Sequence, residues 1–330
     1  MPDADPGAAL AAIGALGLAG EQAALIRGAL ASGFLARCRT PVTIAELTEL
    51  TGLPLTRELC VALAAAGVLQ DRDDTYQLSE VYAGIFTAGA DSSALRALTG
   101  AAVRERLVDS YFRSVTADSY WRVTDADRAA LAAATSVDPA TDRGRGVLGA
   151  QIEAFPEVHD LLRGGARYLE LGCGLSGAVL SLLQLYPKVT AVGVDLAADL
   201  VARARSQAQS LGVTDRIRFV VGDAADYVDE EPFDVAFWSQ FYYPEHTRAA
   251  TLANAYARLR PGGLLAAPAL IADETQRSDP ATTLRTLMVR AWDVPARTAA
   301  QLGAELTAAG FADVTTGNGP GGTTVVGRRP

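Results

Sequence analysis

Five residues in the stretch RYLELGCGLSGAVLSLLQLYPKVTAVGVD, Arg167 to Asp195, have types and spacing that suit a nucleotide-like ligand: Glu170, Gly172, Gly174, Gly177 and Asp195. Glycines at a turn let the backbone bend sharply and let a ligand lie against the amides with no Cβ in between. An acid at the end of the following strand can accept both hydroxyls of a ribose. Glu170, immediately before Leu171 and the first glycine, suits a cation and would repel a pyrophosphate. That preference favours S-adenosylmethionine (SAM), with its ammonium and sulfonium charges, over NAD.

The elements that must position these residues follow from hydrophobic period. Tyr168, Leu169 and Leu171 form a short apolar run before the glycines. Val179, Leu182, Leu183 and Tyr186 then fall on one helical face, and Pro187 stops that helix. Val189 to Val194 is a second strand ending on Asp195, which completes the layout of a nucleotide-binding βαβ unit. Ile217–Val221 is a third strand leading to Gly222 and Asp223, where an acid and the following amide of Ala224 can read an adenine. Phe233–Trp238 is a fourth, and Leu259–Leu265 leads into a fifth. ELGCGLSG, VGVD, VVGDAADY, FDVAFW and LRPGG, in this order and spacing, resemble the class I SAM-dependent methyltransferases. The resemblance implies a Rossmann-like, doubly wound α/β domain with a seven-stranded sheet over residues 164–330. It also implies that SAM, or S-adenosylhomocysteine as product, lies along Glu170, Gly172, Cys173, Gly174, Asp195, Leu196, Asp223, Ala224, Trp238 and Ser239.

Upstream, the apolar positions from Glu21 to about Gly33 follow helical spacing, and Thr43 with Glu46 three residues later reads as a capping box. Leu55 to Ala66 forms a further helix closed by Gly67, and Val68–Gln70 and Thr75–Leu78 flank Asp71–Asp74 as a hairpin. Helices followed by a hairpin make a winged helix. A DNA-reading helix offers basic and amide side chains, whereas TRELCVALAAAG offers Arg57 among acid, alanine and leucine. The stretch TIAELTELTGLPLTRELCVALAAAGVLQDRDDTYQLSEVY instead resembles the N-terminal dimerisation domain of plant-type and actinobacterial small-molecule O-methyltransferases. That resemblance implies a winged-helix dimerisation domain over 1–90, building a homodimer, and a helical connector over 91–163 that walls a substrate pocket. The pocket is expected to involve Tyr111, Tyr120, Trp121, Gln240, Tyr243, Met288 and Trp292; packing between domains is the other reading of the connector's aromatics.

For a hydroxyl acceptor a base assists methyl transfer, because a phenol titrates near 10. In the resembled family the base is a histidine shortly after the fourth strand. Counting back from Pro261-Gly262-Gly263, that position falls on Phe241 or Tyr242 within WSQFYYPEHTR. His246 stands about one helical turn later, and Ala296 stands where the family's acid would be. Tyr242 and His246 are therefore the two catalytic candidates, and His159 reads as structural. O-methylation is expected, with N- or C-methylation made more plausible by the missing base. A non-methylating reaction on the same scaffold, such as decarboxylation, hydroxylation or pericyclic chemistry, is the runner-up, and a regulator the third.

Composition bounds these readings. With 49% hydrophobic and 20% charged residues, the chain can bury a sizeable core. A diffuse net charge of −9 argues against a nucleic-acid partner. The carboxylates of Asp223, Asp226 and Asp229-Glu230-Glu231 read as adenine contact and solvated turn, so no metal is expected. Three scattered cysteines fit a reducing compartment. The N-terminus lacks a basic segment, and no apolar run of about eighteen residues is apparent, so neither a signal peptide nor a membrane partner is expected and the location is read as cytoplasmic.

Overall fold

A computed structural model of the chain describes residues 5–116, 120–271 and 273–330. The chain divides into two compact units, Met1–Ala102 and Val103–Pro330. The first begins with α1 (Pro6–Ala31), a 26-residue helix that starts well before the expected Glu21. Asp5 caps it by accepting the Gly7 N–H, and Pro6 occupies the first helical position, where its missing N–H costs nothing. Of this helix only Ala29 is buried, while Leu10, Ile13, Leu16 and Leu18 are exposed. The sequence reading found no span of sufficient apolarity, yet α1 is long and apolar enough to cross a membrane by length and composition. Its alanines and glycines keep the window apolar without a conspicuous run of large side chains.

After α2 (Phe34–Arg37) come a two-residue strand β1 (Val42–Thr43), α3 (Ile44–Thr51), α4 (Thr56–Ala65), β2 (Leu69–Arg72) and β3 (Thr75–Leu78). The capping box forms: Thr43 accepts the Glu46 N–H, and the Glu46 carboxylate accepts the Thr43 N–H at 2.8 Å. β2 and β3 pair through a two-residue turn in which Asp73 and Asp74 both take positive φ, and β1 adds to the other edge of β3. Phe34, Leu35, Leu47, Leu63, Val68 and Tyr76 make this unit's core. A short helix α5 (Glu80–Ala83) precedes α6 (Ala90–Tyr111), within which the two units divide.

The second unit continues with α7 (Asp125–Thr135), α8 (Asp142–Glu153) and α9 (Pro156–Gly164), the first two capped by Thr124 and Thr141. There follow β4 (Arg167–Leu171), α10 (Gly177–Leu185), β5 (Thr190–Asp195), α11 (Ala198–Ser210), β6 (Ile217–Val221), β7 (Phe233–Trp238), α12 (Glu245–Arg258), β8 (Leu259–Pro268), α13 (Pro280–Ala291), α14 (Ala299–Ala308), β9 (Ala312–Gly319) and β10 (Gly322–Arg328). The seven strands form one sheet in the order β6-β5-β4-β7-β8-β10-β9. β4 is parallel to both β5 and β7, whereas β10 runs antiparallel to β8 and β9. The order reverses between β4 and β7, and a crevice opens at such a switch point beyond the carboxyl ends of the strands. Side chains alternate across β4: Leu169 and Leu171 join one buried cluster with Trp238, Leu252 and Leu302, and Tyr168 joins the opposite one with Val179, Leu183 and Val235.

Candidate active site

At the carboxyl ends of β4, β5 and β7 the second unit encloses a cavity of about 680 Å³. Its floor is the loop after β4. Gly172 and Gly174 take φ of +75° and +50°, the left-handed region in which a Cβ is strained. The Gly172 and Cys173 N–H groups donate to the Val194 carbonyl, tying the loop to β5. Gly177 is required for a different reason: a Cβ there would lie 2.1 Å from Ser136 Oγ and 2.2 Å from the Val137 carbonyl oxygen. The segment after α7 therefore crosses directly over the start of α10.

Three carboxylates face this floor. Asp195 accepts the Gly174 N–H at 2.7 Å on one oxygen and the Ala197 N–H at 2.8 Å on the other. Burial raises its carboxyl, with those two amides opposing. Asp223 accepts the Ala225 N–H at 2.8 Å. Glu170 is 3% exposed, and its Oε2 is buried with no hydrogen-bond partner. Burial pushes its carboxyl up to about 8, against the Val179 N–H, which lowers it, and with Asp195 adding to the rise. Burying a carboxylate with one oxygen unpartnered is costly, and an ammonium beside it would favour its charged form. The orphaned oxygen, the left-handed glycines and the acid at the end of β5 fit the cationic, ribose-bearing SAM molecule.

The opposite wall is the segment after β7, which makes a single 3₁₀ turn over Gln240–Tyr242. Tyr243 packs edge-on against Trp238, with its ring so close to Gly172 that a Cβ there would come within 2.9 Å of it. The Tyr242 hydroxyl lies 3.2 Å from Thr135 Oγ1, and its ring stacks on Trp292 and leans on Tyr120. Burial raises the Tyr242 phenol, with the Thr135 bond and the charges of Arg104 and Arg285 opposing. A phenol raised above 10 is neutral at pH 7, so Tyr242 is suited to hydrogen bonding rather than to taking a proton.

What braces this wall lies beneath it. Gln240 donates to the Pro268 carbonyl at 3.0 Å and accepts from Arg248 at 2.9 Å. Arg248, almost wholly buried, also holds Glu305 at 2.5 Å, and Glu305 accepts from Arg297 at 2.8 Å. Burial alone would raise the Glu305 carboxyl, but the bonds from Arg248 and Arg297 outweigh it and hold it low. The Arg248 guanidinium also stacks over Trp238.

The cavity brings together most of the residues singled out from sequence: Glu170, Gly172, Cys173, Gly174, Asp195, Leu196, Asp223, Ala224, Ser239, Tyr120, Trp121, Tyr242 and Tyr243 all line it. His246 stands on its rim on α12, with Nδ1 3.9 Å from the Asp293 carboxylate and a side chain 73% exposed. Trp238 and Gln240 are buried away from the cavity, in the bracing layer just described. Met288 and Trp292 belong to an apolar cluster with Val103, Val123 and Leu131, against which Tyr120 and Tyr242 pack. Tyr111, at the end of α6, does not line the cavity. Among the described residues no group of three or more His, Cys, Asp or Glu could hold a metal ion.

Sequence reasoning missed an apolar arm of the cavity. It runs under α8 and α9 along the sheet, past Ile152, Phe155, Leu162, Val235, Phe237 and Ala266. Phe237 and Ala266 sit on central strands yet are only half-buried, because the helices stand off from them. Gln151 closes the far end through bonds to Gly321, Gly322 and Thr324. Alternation along β7 and β8 says which face these residues occupy, but not how far the covering helices stand away.

The family described as "Methyltransferase domain" matches residues 169–263. A carboxy-S-adenosyl-L-methionine synthase of Chromohalobacter salexigens is 37% identical over 127 residues, which covers 37% of this chain and 46% of the relative. The chain spans less than half the length of the curated relatives it matches first. Among solved structures, an O-methyltransferase family protein from Burkholderia thailandensis superimposes with a TM-score of 0.74 at 18% identity, covering 97% of this chain and 98% of that one. Human N-acetylserotonin methyltransferase in complex with SAM superimposes with a TM-score of 0.71 at 18% identity, covering 100% of this chain and 99% of that one.

Proposed function

We propose that this chain, which matches the methyltransferase-domain family over residues 169–263, transfers a methyl group from SAM to a small molecule held beside Tyr242. The observation that carries this reading is the orphaned Glu170 oxygen beneath the glycine loop, a buried carboxyl group that a neighbouring cation would hold in its charged form. When bound, SAM supplies an electrophilic methyl carbon on a sulfonium. The chain's own residues then do three things. Glu170, Asp195 and Asp223 bind and orient the donor. Tyr120, Trp121 and Tyr243 exclude water from the acceptor side. Tyr242, neutral and tethered to Thr135, positions the acceptor by hydrogen bonding.

No histidine occupies the acceptor side except His246 at the exposed rim, so positioning and desolvation carry the rate. O-methylation of an acidic hydroxyl is the leading reaction. An amine or an activated carbon acid is the alternative acceptor, since each reacts without a strong base. The missing base also supports the second reading, a SAM-binding enzyme that performs another reaction. Incubation with methyl-labelled SAM and a panel of phenols, amines and 1,3-dicarbonyl compounds tests this directly. Label transfer supports the first reading; S-adenosylhomocysteine binding by calorimetry with no transfer to any class supports the second.

The chain is read as three working segments, 1–90, 91–163 and 164–330, the first a winged-helix dimerisation domain. The exposed apolar side chains of α1 call for a covering surface, and a second copy of the chain is the proposed occupant. Light scattering should then give twice the mass of the 34.4 kDa chain, and a monomer at micromolar concentration would count against it. Three free, buried thiols fit a reducing cytoplasm.

A further inference from the structure

The apolar arm of the cavity follows a straight row of side chains across the sheet. Glu170 on β4 pairs in register with Phe237 on β7, Phe237 with Ala266 on β8, and Ala266 with Val326 on β10. Residues paired in this way share one face of a sheet, and all four line the cavity. Across these four neighbouring strands, inter-strand steps of about 4.8 Å give the row a length of roughly 14 Å. Ala266 is its smallest member, so the row dips between Phe237 and Val326. Ile152, Phe155 and Leu162 cover it from α8, the turn after α8, and α9.

The far end is sealed by side chains for which the sheet edge makes room. Gln151 accepts the Gly321 N–H at 2.8 Å, and its amide nitrogen donates to the Gly322 carbonyl and to Thr324 Oγ1, each at 3.1 Å. With both N–H groups spent inside the chain, Gln151 has no spare donor for a ligand. A Cβ at Gly319 would lie 2.2 Å from Gln151 Oε1, and one at Gly317 would lie 2.7 Å from the Phe155 ring. Glycine at those two positions of β9 is what lets both side chains fold over the arm.

We propose that the arm is a binding site for an unbranched hydrocarbon tail, with its terminal methyl against Gln151 and its head group toward Glu170 and the glycine loop. The site lies apart from the proposed donor and acceptor positions and does not require methyl transfer. A polar ligand would lose its hydration along these walls without regaining hydrogen bonds. A hydrocarbon chain regains dispersion contacts that the void forgoes. A slot that is long in one direction and roofed by helices along that length suits an extended chain over a branched one.

The test titrates 1-propanol, 1-butanol, 1-hexanol and 1-octanol into the full-length protein by calorimetry, with and without saturating S-adenosylhomocysteine. Affinity is expected to rise about fourfold per added methylene, the transfer free energy of one buried CH₂. The branched isomer 2-ethylhexanol should bind about tenfold more weakly than 1-octanol, as overpacking predicts. Ala266→Leu, which fills the dip, should flatten the series, and Val326→Phe, nearer the sealed end, should flatten only its longer members. Unchanged S-adenosylhomocysteine affinity in both variants certifies the fold. A flat series in the wild type, a rise that survives both substitutions, or equal binding of the branched isomer would each overturn the site. Failure of S-adenosylhomocysteine to bind beside an intact alcohol series would strike at the methyltransferase reading and leave the arm standing. 4-Hexylphenol fixes the source of the tail. A margin over 1-hexanol that is lost in Tyr242→Phe makes the tail the acceptor's own, and a margin indifferent to that change makes it a separate amphiphile.

Discussion

The loop after β4 and the segment after β7 close the same cavity by opposite means. The first is shaped by backbone: two left-handed glycines and three N–H donors fix it with hardly any side chain involved. The second is shaped by side chains: its aromatics are held in place from below by Gln240, Arg248, Glu305 and Arg297. A backbone-shaped wall keeps the same contour whatever side chains surround it. A wall of braced aromatics can be recut for a new acceptor while its brace stays intact. Under the proposed function, cofactor recognition falls to the first wall and acceptor recognition to the second.

Breaking the brace should have the largest effect. Arg248→Met leaves Glu305 and Gln240 without their buried partner, and urea denaturation should show a loss of about 3–5 kcal/mol. A loss below about 1 kcal/mol would mean the acceptor wall stands without its brace. On the cofactor wall, Gly172→Ala forces an alanine into a left-handed conformation and pushes against Tyr243. S-adenosylhomocysteine binding should weaken by about 1–3 kcal/mol, read by calorimetry.

Glu170→Gln sharpens the contrast because it removes only charge. Affinity should fall by about 1.5–3 kcal/mol for the loss of one charged hydrogen bond. The wild-type carboxyl, at about 8 against an ordinary 4.5, makes the ligand-free protein lose stability as pH rises from near 4.5 through 8, because the folded state holds its proton longer than the unfolded state. Thermal melts should show that decline in the wild type and a flatter profile in Glu170→Gln. Ligand affinity should rise over the same window, since the ammonium selects the charged carboxylate.

The smallest effects should come from the acceptor side. Tyr242→Phe keeps the ring and removes the hydroxyl bonded to Thr135, so turnover should fall about tenfold with S-adenosylhomocysteine affinity unchanged. His246→Ala should change turnover little, and a loss of a hundredfold or more would make His246 the base and overturn the reading of catalysis by positioning.

The same contrast explains what was legible in the sequence. Left-handed backbone admits few residue types, so Gly172 and Gly174 announce the loop, and Asp195 sits at the strand end that the βαβ pattern predicts. The capping box at Thr43 and the hairpin turn at Asp73-Asp74 were readable for similar local reasons. β1 was missed because two residues carry no alternation, and Thr43 already served as a helix cap. The start of α1 was placed too late because glycine and alanine mask its pattern, although Asp5 and Pro6 mark it. Gln240 is expected among the pocket residues, but its side chain bonds Arg248, eight residues on, and the Pro268 carbonyl instead. Glu305 lies 57 residues from Arg248, and no local pattern joins them.

The apolar arm beneath α8 and α9 has a mechanical consequence. A cavity walled by Ile152, Phe155, Phe237 and Ala266 offers water few partners and tends to stay dry. Its void disappears when the chain unfolds, so unfolding shrinks the system. The second unit is accordingly built to be soft under hydrostatic pressure, more so than a sheet whose covering helices seat directly on it. Whatever fills the arm would stiffen the domain in proportion to the volume it displaces.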